Sequence, residues 1–142
     1  MKKIKTAKVF IVICEVFLIV STTLDFLGSL FFGMIFGDLL NALFHSSFPS
    51  DLVAIGVVSL AIIFGFSGII KSVGLFILGL FNSVKLFLTS ISWYKINKWK
   101  SKKDINTAFI LCYVCVGLGG LLNLVPAIIL STVKQNELNI RE

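Results

Sequence analysis

From Leu52 to Ile70 the chain carries no charged residue at all. A run of that length is about what one helix needs to cross a hydrocarbon core ~30 Å thick. Similar apolar segments cover 9–36, 73–93 and 107–133. Apolar side chains occupy both parities of 52–70, whereas a barrel strand alternates with polar residues. Inside lipid each backbone N–H must find its acceptor within the segment, which leaves the helix as the local structure. The expectation is therefore an all-α protein: a polytopic transmembrane helical bundle of four spans, 9–36, 52–70, 73–93 and 107–133, forming a single integral membrane domain over 1–142.

Composition agrees with lipid as the solvent. Hydrophobic residues make up 57% and charged residues 14% of the 142, where soluble domains carry roughly 25% charged residues. The net charge is +6, but the basic residues gather at the ends of the apolar runs instead of spreading over a soluble face. That placement serves membrane orientation and attraction to anionic lipid, and argues against nucleic acid as a partner. Lys2 to Lys8 followed by an apolar run imitates a signal peptide, but Glu15 interrupts the run and no small-x-small site follows near 21–25, so a retained first span is expected.

The segment 9–36 is longer than one crossing needs and must tilt, break or protrude. Residues 44–51 (FHSSFPSD) read as a loop, and 94–106 as a basic one. Four spans with Lys2, Lys3, Lys5 and Lys8 in the cytoplasm leave the lysines of 95–103 outside, against the tendency of basic loops to stay inside. Two alternatives relieve the conflict. Either 73–93 is re-entrant, giving three spans, or the first segment splits near Asp25, giving five.

Glu15, Asp25, Lys85 and Asn123 are the polar residues carried into lipid. An ionised group at mid-span costs about 2.5–3.5 kcal/mol on insertion scales, so it should be paired, protonated or facing water. Counting 1.5 Å per residue from one face puts Lys85 about 18 Å and Asp25 about 24 Å deep, within reach of a pair. Asn123 falls near the depth of Glu15, where a hydrogen bond could join the first and last helices. The plainer alternative has Glu15 and Lys85 reaching the nearest interface and Asp25 capping a helix break.

Small residues recur at packing intervals: Ser29, Gly33 and Gly37 in the first segment, and Ala61, Gly65 and Gly68 in the second. These stripes serve helix approach within the chain or with a second copy. Gly117, Gly119, Gly120 and Pro126 mark the last span as kinked. Trp93, Tyr94 and Trp99 are interleaved with Lys95, Lys98, Lys100, Lys102 and Lys103, a mixture that suits a membrane boundary rich in anionic lipid. Cys112 and Cys115 form a C-x-x-C among apolar neighbours, read as small packing residues before a thiol oxidoreductase site. His45 has no ligand at metal-binding spacing, and no metal or other cofactor is expected.

FGFSGII (64–70), SWYKINKWKSKK (92–103) and GLGGLLNLVPAIIL (117–130) together resemble the small bacterial four-span membrane proteins of unknown function. That resemblance implies a multi-pass protein of the cell membrane and carries no site residues with it. The leading functional expectation is a non-enzymatic accessory, immunity-like or membrane-organising protein whose partners are the bilayer, its anionic lipids, and a second copy or another membrane protein. The rival is a small oligomeric transporter or channel using Asp25, Lys85 and Glu15.

Overall fold

The computed structural model describes residues 2–45, 51–98 and 101–133. Among these the fold is all helical: α1 (Lys2–His45), α2 (Asp51–Asn97), α3 (Lys102–Gly117), a single 3₁₀ turn (Leu121–Asn123) and α4 (Leu124–Ser131). Nothing within α1 or α2 removes a backbone donor, because the only two prolines are Pro49 and Pro126. Hence α1 runs unbroken through Asp25, which caps nothing, and α2 runs unbroken through Lys71 and Ser72. The segments 52–70 and 73–93, expected as two spans, lie on one helix.

The last segment behaves differently. Instead of one span over 107–133, α3 stops at Gly117 and α4 resumes at Leu124. The stop is a Schellman motif. Gly119 takes φ +86°, its N–H donates to Val116 O (2.9 Å), and the Gly120 N–H reaches back to Cys115 O (2.8 Å). Only glycine holds that left-handed position without a steric penalty. Pro126 falls in the first turn of α4, where a missing N–H costs no hydrogen bond. Ala127 and Leu130 of α4 then join Ile105, Ala108 and Cys112 of α3 in one cluster, so the two helices fold back as a hairpin.

The chain divides into two compact units. The first joins 1–21 to 81–142. Its core follows a three-four spacing: Ile4, Ala7, Ile11, Cys14 and Leu18 on α1, and Ile105, Ala108, Cys112 and Cys115 on α3. Thr89, Ser92 and Ile96 of α2 complete it, all fully buried. α1 and α2 are antiparallel here, since Lys8 Nζ donates to Asn97 Oδ1 (3.1 Å) and Asn82 Nδ2 to Ser21 Oγ (3.2 Å).

The second unit, 22–80, is the antiparallel remainder of α1 and α2. Ser29 and Ser72 hold its centre reciprocally. Ser29 Oγ donates to Ser72 O (3.0 Å) and Ser72 Oγ to Ser29 O (2.9 Å). Phe36 lies over Gly65 and Gly68, Gly33 faces Ser72, and Phe26 meets Phe76 edge-on with ring centres 5.7 Å apart. Ala61 is buried, while Gly37 has open space around it.

Two helical stretches, Lys2–Leu43 and Ile55–Asn97, are long and apolar enough to cross a membrane, their most apolar 18-residue windows having mean hydropathies of 2.2 and 2.1. Their most apolar windows are only 22% and 11% buried. The core helix of a soluble protein would be mostly covered; here Phe17, Leu30, Phe31, Met34, Ile63 and Phe64 face outward.

Candidate functional site

Within the first unit, the turn after α3 leaves a cavity of about 320 Å³. Cys14, Phe17, Leu18 and Ser21 of α1, Asn82 and Lys85 of α2, and 119–123 line it. Lys85 is the charged group on its wall. The lysine ammonium donates to Asn82 Oδ1 at 3.0 Å, one turn earlier on α2. It makes no ion pair among the described residues, and a Cβ on Gly119 would sit 3.9 Å from its Nζ.

Behind the lysine, its own backbone is tied into α3. Thr89 Oγ1 donates to Lys85 O (2.8 Å), Cys115 Sγ donates to the same carbonyl (3.6 Å), and Thr89 and Cys115 touch at 3.6 Å. Asn82, Lys85 and Thr89 stand three and four residues apart, one face of α2 turned towards the hairpin. Asn123 is 1% exposed, and its Oδ1 has no hydrogen-bond partner among the described residues. A buried amide left that way costs roughly 1–3 kcal/mol.

Other anticipated polar residues go elsewhere. Glu15 is half-buried and makes no hydrogen bond or ion pair among the described residues, so the expected Asn123–Glu15 bond does not form. Asp25 is half-buried, engaged by neighbouring groups, and belongs to the second unit, while Lys85 belongs to the first. Within its own unit the lysine is met by the amide of Asn82. Ser21, Asn82 and Thr89 were not singled out from sequence, although their helical spacing from Cys14 and Lys85 was readable.

At the basic end, Trp93 packs against the first unit's core and Lys98 stands over the Tyr94 ring, 4.9 Å from its centre. Lys95 meets Asp104 at 3.5 Å, and Lys102 and Lys103 are exposed on the first turn of α3. Lys3 Nζ donates to Thr132 O (3.0 Å), bringing the end of α4 beside the start of α1. Trp99 and Lys100 lie outside the described residues. Cys14, Cys112 and Cys115 are free thiols buried in the core, and no group of three or more metal-ligating side chains occurs among the described residues. Comparison with family models, curated proteins and solved structures finds no match.

Proposed function

We propose that this chain is a non-enzymatic integral protein of the cell membrane, held by two crossings and a re-entrant hairpin, that organises lipid or a membrane partner at one basic face. The crossings are α1 and α2; α3 and α4 enter from the basic side and return to it. The observation that carries the reading is the outward exposure of the apolar side chains along α1 and α2. A signal sequence accounts for neither α2 nor its length. Each candidate span, of 42 and 43 residues, is about 63–65 Å long at 1.5 Å per residue, more than a tilt of up to about 40° fits into a ~30 Å core, so its ends protrude beyond the core.

Lys2, Lys3, Lys5 and Lys8, together with Lys95, Lys98, Lys102 and Lys103, belong to the segments joined by the Lys8–Asn97 and Lys3–Thr132 contacts. In this reading they meet one anionic leaflet, the cytoplasmic one by the usual bias of basic loops. Single-cysteine labelling in intact cells and inverted vesicles tests it. Cysteines at positions 5, 97 and 132 should label from the same side and one at 45 from the other. Labelling of 132 from the side of 45 would make the last segment a full crossing and end the two-crossing proposal.

The transporter reading draws on the Lys85 cavity. It predicts that Asp25→Asn and Lys85→Met each abolish flux in liposomes; flux equal to wild type in both removes it.

A further inference from the structure

We propose that the cavity beside Lys85 is a binding site for a small carboxylate carried on an apolar body, the carboxylate seated at the lysine ammonium. The inference rests on the membrane reading, because it is exclusion from water that leaves the ammonium in want of an anion. Three observations point to that chemistry. The lysine offers three N–H donors, and among the described residues one is used, by the neutral amide of Asn82. In its own unit no ion pair joins the lysine to Glu15 or to another described carboxylate, so the charge is not cancelled there. A bare ammonium away from water is costly unless an anion joins it.

The second donor is Ser21. Its one hydrogen bond among the described residues is accepted, from Asn82 Nδ2, which leaves the hydroxyl proton to give. Asn82 thereby orients both groups: its Oδ1 fixes the lysine and its Nδ2 fixes the serine. A carboxylate has two oxygens for these two donors, one charged and one neutral.

The third observation is the wall and its size. Phe17, Leu18, Leu121 and Leu122 supply apolar surface around the polar corner. About 320 Å³ is far more than a halide fills and lies at the small end of the roughly 300–1,000 Å³ typical of organic-ligand sites. Apolar walls with one cation and one hydroxyl select an amphipathic monoanion over phosphate, whose extra charge would remain unmatched.

The test is equilibrium binding of carboxyl-¹³C octanoate to the full chain in phosphatidylcholine nanodiscs, read by carboxyl chemical shift, with propionate and palmitate as further arms. Wild type should bind octanoate saturably, and octanol at the same concentration should not compete. Lys85→Met should weaken binding roughly tenfold to a hundredfold, the loss of a charge-assisted hydrogen bond in a dry site. Lys85→Arg should restore most of it, and Ser21→Ala should weaken it several-fold in a chain of unchanged helicity. Preference for propionate identifies a water-borne acid as the natural class, and preference for palmitate a membrane-borne one. Non-saturable uptake by wild type, or equal affinity in Lys85→Met, overturns the site. Should the chain prove soluble without lipid, the membrane reading fails, and the same titration on the soluble chain still decides the site.

Discussion

Gly120→Ala is the most direct perturbation of the hairpin on which the two-crossing reading depends. A Cβ at Gly120 would stand 2.8 Å from Cys115 O, 3.3 Å from Cys115 C and 3.2 Å from Asn123 Nδ2. The first two atoms are backbone in the fully buried core of the unit and cannot swing aside. Relief requires opening the 2.8 Å bond from Gly120 N–H to that same carbonyl. The loss is one hydrogen bond, about 1 kcal/mol, plus a buried carbonyl left unpaired, roughly 1–3 kcal/mol, so about 2–4 kcal/mol altogether. Gly117→Ala is the matched control, since a Cβ there meets nothing within 4 Å and a helical alanine gains up to ~1 kcal/mol. Reversible unfolding by SDS in mixed micelles, followed by far-ultraviolet circular dichroism, measures both. Equal stability of the two variants would refute the close turn at 119–120.

The remaining expectations are smaller. A double-mutant cycle of Ser29→Ala and Ser72→Ala should give a coupling of about 0.6 kcal/mol and no more than ~1.7, typical of hydrogen bonds between helices in lipid, and zero coupling would deny the reciprocal bonds. Gly65→Ala drives a methyl into the Phe36 ring and should destabilise, with Phe36→Ala in the same chain recovering part of the loss in the same SDS titration. Asp104→Asn breaks the half-exposed pair with Lys95 and should change stability by about 1 kcal/mol or less. Lys102→Gln with Lys103→Gln should lower the preference for phosphatidylserine nanodiscs by about 1 kcal/mol per lysine at low salt, a difference that fades as salt rises.

Helical class and the location of the apolar segments were readable because hydropathy reports the solvent. It does not report partners. Facing lipid and facing protein are equally apolar, so Phe31 and Ile11 look alike in sequence although one is exposed and the other fully buried. Hydropathy also does not report where one helix ends and the next begins, so 52–70 and 73–93 read as separate segments although one helix carries both. Lys71 lowers the hydropathy between them without ending the helix, its ammonium resting over the Phe32 ring at 5.8 Å. The glycines at 117–120 were noticed and read as a kink; what makes them a reversal is Gly119 at a positive φ with Gly120 free of a Cβ, a pairing of positions that composition does not order. Of the site, Lys85 and Asn123 were singled out for being polar in an apolar run. The partner expected for Asn123 is not found on it, because depth counted along a straight span does not register a segment that turns back.

The joining of 52–70 and 73–93 in one helix bears on the charge conflict between 2–8 and 95–103. With four straight crossings, an odd number of spans separates the two lysine clusters and places them on opposite faces. When α1 and α2 count as one crossing each, the separation becomes even, and the clusters share a face, as the Lys8–Asn97 bond requires of the side chains themselves. The hairpin then has to return to that face, where Lys3 meets Thr132. Broken backbone at membrane depth is tolerable only if its polar groups are satisfied within the protein. The turn meets this condition: Val114 O, Cys115 O and Val116 O each accept an N–H from 118–120, packed against the core of α1 and α2. Within the first unit the buried side-chain atom left without a partner among the described residues is Asn123 Oδ1, an acceptor in the wall of the Lys85 cavity, so a donor rather than the proposed carboxylate would have to complete it.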